Sequence, residues 1–433
     1  MSVTAPLGFR AAGVAAGLKP AGARDVAVVI NDGPSRAAAG VFTANRVQAA
    51  PVLWTRQVLR GGRVRAVALN SGGANACTGP DGFADTHEIA ERLARQLDDS
   101  AGEIAVCSTG LIGERLPMDK LLPGVAAAAA EASRSGGPAA ADAIRTTDTV
   151  VKIAFRRGSS ANGGTGPGYA ANGGGAPGGP GPGGRASGSE ANGGVGPGGG
   201  AFGGQPPAPG YTIGGMAKGA GMLAPSLATM LCVLTTDADL PAGELDAALR
   251  RATAVTFDRL DTDGCMSTND TVLLLASGAS GVRPDPGEFA GQLTAVCADL
   301  ARQLQLDAEG AGKAIAIEVV GAASERDAVT VGRAVARSAL LKCAIAGEDP
   351  NWGRVLSAVG TTDAMFEPDQ LNVAINGTWV CRNGYAADDR SKVDLSARDV
   401  TITIDLAAGP DAATIATTDL TVAYVYENTA YPT

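Results

Sequence analysis

Short apolar, β-branched runs alternate along the chain with stretches whose apolar positions recur every three or four residues. In the first 157 residues, Val26–Asn31, Val64–Asn70 and Ile104–Ser108 read as strands, each closed by Gly, Asn or Ser. Residues 86–98 and 118–133 read as helices, the second carrying an alanine run. Beyond residue 210 the alternation predicts a strand at Tyr211–Ile213, an apolar run from Met230 to Leu234, and strands at Thr271–Ala276 and Ala314–Val320. Helices fall near 242–258, 287–304 and 330–345. The last hundred residues predict strands at Leu371–Asn376, Val400–Leu406 and Leu420–Tyr426. Sheets with helices packed on them, an α+β class, follow from this interleaving. The cluster Arg283-Pro284-Asp285-Pro286-Gly287 predicts a domain boundary near 285.

Residues 158–210 break every pattern. They hold 23 of the 61 glycines and eight of the 24 prolines in a chain of 433 residues. Ala-Asn-Gly-Gly begins at 161, 171 and 191, and only Arg185 and Glu190 carry charge. So little apolar surface cannot offset the entropy of ordering, so the segment reads as a disordered insertion in a surface loop. The chain divides accordingly into 1–157, the insertion 158–210, 211–285 completing the first domain, and an α/β domain over 286–433.

Charge and cysteines narrow the function. A net charge of −9 leaves no cationic excess for nucleic acid or an anionic membrane. Seven widely spaced cysteines without a C-x-x-C predict neither a disulfide framework nor a zinc site, and favour a reducing, cytoplasmic setting. No run of 18 apolar residues occurs, and the Gly-interrupted start is a poor signal peptide. The one histidine, His87, follows Asp85 in what reads as the first turn of a surface helix, so a general base must be sought elsewhere.

The most informative stretch is Gly214-Gly215-Met216-Ala217-Lys218-Gly219-Ala220-Gly221-Met222-Leu223-Ala224-Pro225-Ser226-Leu227-Ala228-Thr229-Met230-Leu231. It lacks the G-x-x-x-x-G-K-[ST] phosphate pattern, as does Ala311-Gly312-Lys313-Ala314. At Ala228-Thr229, a small residue precedes a hydroxyl that could attack the preceding carbonyl. Scission there would give Thr229 a free α-amine with an ordinary pKa near 8, a base for its own hydroxyl. On the residues alone, a Thr that begins an apolar strand is usually just a strand residue.

Further segments tip that balance. The stretch around Thr229 resembles the self-processing site of the ornithine acetyltransferase family, also called glutamate N-acetyltransferase, of arginine biosynthesis. Cys107-Ser108-Thr109-Gly110-Leu111-Ile112-Gly113, Thr146-Thr147-Asp148-Thr149 and Ser267-Thr268-Asn269-Asp270-Thr271 match in order. Gly347-Glu348-Asp349-Pro350-Asn351-Trp352-Gly353-Arg354 and the terminal Asn428-Thr429-Ala430-Tyr431-Pro432-Thr433 do likewise. The departure is 158–210, where the family usually runs from one strand directly into the next.

The resemblance implies a layered αββα sandwich similar to self-processing aminopeptidases. It implies cleavage between Ala228 and Thr229, with Thr229 as nucleophile and Thr109 with Gly110 as oxyanion hole. Thr146, Lys218, Thr229, Glu348, Asn428 and Thr433 would bind substrate, with Tyr424, Tyr426 and Tyr431 docking the chain end. The implied reaction is ping-pong transfer of acetyl from N2-acetylornithine to glutamate, with no metal or cofactor and with acetyl-CoA as an alternative donor. The alpha and beta pieces would stay together and pair as a heterotetramer. A self-processed amidase or peptidase is the competing activity.

Overall fold

The computed structural model describes residues 2–159, 210–223 and 230–430. Ala228, Thr229, Tyr431 and Thr433 lie outside the described residues, as does nearly all of the insertion expected to be disordered. Its margins do not: Gly158 and Ser159 end one strand and Gly210 begins the next.

In the first part of the chain the elements are β1 (Phe9–Val14), β2 (Val26–Asn31), β3 (Ala38–Phe42), α1 (Ala50–Val58), β4 (Ala66–Ser71), α2 (Gly79–Leu97), β5 (Ile104–Thr109), α3 (Met118–Glu131), α4 (Gly137–Ala143) and β6 (Lys152–Ser159). Then follow β7 (Gly210–Lys218), β8 (Leu231–Thr236), α5 (Ala242–Ala254), β9 (Thr271–Ala276) and α6 (Pro286–Leu306). The last part holds β10 (Ala314–Ala322), α7 (Glu325–Ala336), α8 (Ala339–Ala346), α9 (Trp352–Val359), β11 (Asn372–Ile375), β12 (Thr378–Arg382), β13 (Tyr385–Ala386), β14 (Asp399–Asp405), β15 (Asp411–Thr418) and α10 (Val422–Ala430).

β2, β4, β5, β8 and β9 are buried at every residue, which is why they read as unbroken apolar runs. One sheet has the order β1-β2-β4-β5 and a second β3-β9-β8-β7-β6. Their inner faces share a core that includes Val29, Leu69 and Cys107 from the first and Met216, Val233 and Leu273 from the second. Alternate residues point the other way. Val28, Ala68 and Val106 pack on Leu93, Leu121 and Val125 of α2 and α3. Ile213, Leu234 and Leu274 pack on Leu249, Leu293 and Leu300 of α5 and α6. The result is a four-layered αββα sandwich.

α6 belongs to this sandwich, so its core continues past the Pro/Gly cluster at 283–287. A separate core begins at Ile315, in a six-stranded sheet of order β13-β12-β11-β14-β10-β15. Along β14, Val400, Ile402 and Ile404 are buried while their neighbours are not, so helices cover one face only.

Three expectations need correcting. Leu420–Tyr426 is not a strand: the Thr421 hydroxyl accepts the Tyr424 N–H at 3.1 Å and starts α10. The single helix expected over 330–345 is two, because Ser338 breaks it and caps α8. His87 lies in the middle of α2, not its first turn, and its ring sits tilted against Trp54 with centroids 4.9 Å apart. Asp85, expected at the helix start, is buried and paired with Arg115 at 2.6 Å. Among the described residues no helix is long and apolar enough to cross a membrane.

Candidate active site

The two stacked sheets meet the same edge of the molecule. β5 ends at Thr109, paired with Ser71, and β7 ends at Lys218, paired with Leu231. Leu231 in turn pairs with Thr271. The Lys218 ammonium donates to the Thr109 hydroxyl at 3.3 Å and so ties the two sheet ends together. Both side chains are almost wholly buried. A hydroxyl that accepts from a lysine keeps its own proton to donate, so the Thr109 O–H is left to point at a substrate oxygen.

Beside Thr109, Gly110 has φ +132°, and a Cβ there would lie 2.5 Å from the Gly73 nitrogen. Only glycine fits this turn. Asn269 braces it from below, donating to the Ser108 carbonyl at 2.8 Å and the Ala74 carbonyl at 2.6 Å.

These groups open onto a cavity of about 90 Å³ lined by Thr109, Gly110, Thr146, Thr147, Lys218, Ser267, Asn269, Glu309 and Asn428 among others. Thr109, Gly110, Thr146, Lys218 and Asn428 were named from the sequence, and the fold brings them together. Glu348 is not there. It lies after α8 with φ +55°, half-exposed, and its carboxylate is paired with Lys313 at 2.9 Å. The carboxylate that lines the cavity is Glu309, which accepts from the Thr147 hydroxyl at 2.6 Å and the Asn428 amide at 3.0 Å. Glu309 sits in the loop between α6 and β10 with no motif around it, whereas Thr147, Ser267 and Asn269 lie inside segments already matched. Of the aromatics expected to dock the chain end, Tyr424 is half-buried against Gly310, while Tyr426 is 66% exposed. Tyr431 is outside the described residues.

Electrostatics separates the buried groups. Desolvation lowers the Lys218 pKa, opposed chiefly by Asp148. Burial alone would raise the Asp148 pKa, but Lys218, Lys152 and the Gly219 N–H together hold it at about 2. Lys152 donates to Asp148 at 2.6 Å and to Asp307 at 2.5 Å, continuing the chain of charge. Burial drives Asp270 well above the ordinary carboxylate range. Such clustering of displaced ionisations at one cavity marks a site of chemistry.

Fold and cavity thus define a four-layered αββα protein with a hydroxyl, a backbone N–H, an ammonium and a carboxylate converging where the sheets end. The family model for the ArgJ family matches residues 10–175 and 205–433, and the chain belongs to that family. The "Arginine biosynthesis bifunctional protein ArgJ" of Thermobifida fusca is 65% identical over 433 residues, covering 100% of both chains. The protein of the same name from Streptomyces coelicolor is 58% identical over 431 residues, again 100% of both. Among solved structures, a chain of ornithine acetyltransferase complexed with ornithine, from Mycobacterium tuberculosis, is 64% identical with a TM-score of 0.35. The match covers 36% of this chain and 83% of that one.

Proposed function

We propose that the protein transfers the acetyl group of N2-acetylornithine to glutamate through an acetyl ester on Thr229. The observation that carries this reading is the single small cavity in which Thr109, Gly110, Lys218 and Glu309 converge. An ammonium and a carboxylate across one cavity suit a small amino acid that carries both charges. The names of its relatives support the same chemistry. Glu309 takes the place that the sequence reading gave to Glu348.

The chain first cuts itself. The Thr229 hydroxyl attacks the Ala228 carbonyl, the C–N bond breaks as the amide nitrogen takes the hydroxyl proton, and water hydrolyses the ester. The freed α-amine then serves as base. In the first half-reaction it takes the Thr229 proton as Oγ attacks the acetyl carbon. The oxyanion is held by the Thr109 O–H and the Gly110 N–H, a pair whose loss costs about 3–4 kcal/mol per donor. The C–N bond of N2-acetylornithine breaks as the Thr229 α-ammonium gives its proton to the departing nitrogen, and ornithine leaves with that nitrogen as an amine. Glutamate enters, its amine attacks the ester, and the same groups act in reverse. Lys218 holds the substrate carboxylate, Glu309 the side-chain ammonium of ornithine, and Thr146, Asn428 and Thr433 close the pocket. No metal or bound cofactor takes part, and acetyl-CoA is an alternative donor. Residues 1–228 and 229–433 remain associated because β7 and β8 are neighbours in one sheet, and two such pairs form the heterotetramer. The protein works in the cytoplasm.

The experiment is a radiolabel assay with [acetyl-¹⁴C]N2-acetylornithine. Label appearing in N-acetylglutamate, and only when glutamate is present, is the expected result. Release as free acetate at the same rate with or without glutamate would replace transfer by hydrolysis.

A further inference from the structure

Lys152 opens β6 and is wholly buried, and the mechanism above leaves it without a task. It pairs with Ala217, the residue before Lys218. Its ammonium donates to the Asp148 carboxylate at 2.6 Å and to the Asp307 carboxylate at 2.5 Å, and none of the three side chains is more than 7% exposed. Taking three charges out of water is costly, and apolar side chains of similar volume often hold a fold as well. What the ions add is direction: each carboxylate oxygen fixes particular donors at particular distances.

The two carboxylates grip different walls of the cavity. Asp148 accepts the Gly219 N–H at 2.7 Å, directly after Lys218, and the Thr146 N–H at 3.0 Å. Asp307 ends α6 two residues before Glu309, and it accepts the N–H of Thr149 at 3.0 Å together with the Thr149 hydroxyl. Glu309 is tied back to the Lys218 loop, its N–H donating to the Ala220 carbonyl at 3.0 Å. Lys152 is thus the charge shared by the segment that follows Lys218 and the segment that carries Glu309. It does not line the cavity itself.

Resting on the assignment of Lys218 to the substrate carboxylate and Glu309 to its side-chain ammonium, we propose that Lys152 is a positioning residue that sets the distance between those two groups, and so the side-chain length of the amino acid the pocket accepts. It holds Asp148 and Asp307 at one spacing, and each of them holds one pole of the pocket. A substrate with one methylene more or fewer carries its ammonium displaced by up to about 1.5 Å, one C–C bond. A charge-assisted hydrogen bond cannot follow that displacement while its acceptor is fixed.

The test measures kcat/KM for acetyl transfer to glutamate from three donors: N2-acetylornithine, the homologue one methylene longer (N2-acetyllysine) and the homologue one methylene shorter (N2-acetyldiaminobutyrate). Wild type should prefer N2-acetylornithine to either by about 10–200-fold, the usual worth of one methylene in a fitted pocket. Lys152→Met keeps the chain length without the charge and leaves two carboxylates to repel each other. Its preference should fall to about threefold or less. Asp307→Asn, which leaves Lys152 paired with Asp148, should reduce the preference at least about threefold. Folding is followed by circular dichroism, and where a folded variant does not turn over, calorimetric binding of ornithine against lysine reads the same ratio. A merely structural lysine would lower all three donors by one factor, and an unchanged ratio in folded K152M overturns the proposal. If K152M does not fold, D307N decides in the same way. A wild type that takes all three donors alike also overturns it. A wild type that transfers acetyl from none of them would instead remove the functional reading on which it rests.

Discussion

The cavity has two unlike walls. On the strand side, Thr109, Lys218 and Asn269 line the cavity and, like Asp148 whose charge acts on Lys218, are buried and held by at least one bond that leaves them little freedom. On the helix side, α10 exposes Val422, Val425 and Tyr426, and Asn428, which lines the cavity, donates to Glu309 and to the Tyr424 carbonyl. The contrast separates two demands. Groups that stabilise a transition state must not reorganise while charge develops, so they are set on sheet ends under full burial. Groups that admit and release substrate need a wall of lower stability, and a short terminal helix supplies it.

If that division is right, the strand wall should break first and hardest. Asp148→Asn removes the carboxylate set between two buried lysines, and removing one partner of a buried ion network costs about 3–5 kcal/mol. Chemical denaturation of the variant measures it. The pH dependence follows from the depressed pKa. Asp148 adds stability above its ordinary value of 3.8, which is lost as pH falls towards about 2. Wild type should thus lose more stability than D148N between pH 5 and pH 2.

Thr109→Val removes one oxyanion donor and should lower kcat about 10²–10³-fold with KM little changed. A rise in KM with kcat unchanged would instead assign Thr109 to ground-state binding.

The helix wall should respond through KM. Glu309→Gln removes a charged hydrogen-bond partner worth about 1.5–3 kcal/mol, so the KM for N2-acetylornithine should rise at least tenfold. Glu348→Gln, which disturbs only the pair with Lys313, should leave that KM within roughly twofold, since Glu348 is half-exposed and Lys313 keeps the Leu395, Ser396 and Ala397 carbonyls. The reverse outcome would restore Glu348 to the pocket. Smallest of all, Asn428→Ala loses one exposed hydrogen bond to the Glu309 carboxylate and should raise KM roughly three- to tenfold without touching kcat.

What the sequence made legible follows the same line between buried strand and exposed rim. Val26–Asn31 and Thr271–Ala276 could be bounded to the residue because strands covered on both faces are apolar without interruption. Thr109, Gly110 and Lys218 sit at strand ends inside long recognisable segments, so their neighbourhood was readable too. Glu309 was not. It stands in a loop with no periodicity, and a contact spanning 162 residues brings it to Thr147. Glu348 was named because its surrounding segment matched, and in the structure its carboxylate pairs with Lys313 rather than lining the cavity. Leu420–Tyr426 failed for a different reason. Its β-branched residues favour a strand in isolation, but the Thr421 cap and the seat on Gly310 decide for a helix.

Everything in this scheme depends on Thr229 acquiring an amine. Intact mass spectrometry of freshly purified protein beside a Thr229→Ala variant measures that event without any assay of activity. Two pieces in the wild type, the second with the mass of residues 229–433, and one intact chain in the variant are the expected result. A single uncut chain in both would leave the hydroxyl without its base and would contradict the acetyl-threonine mechanism.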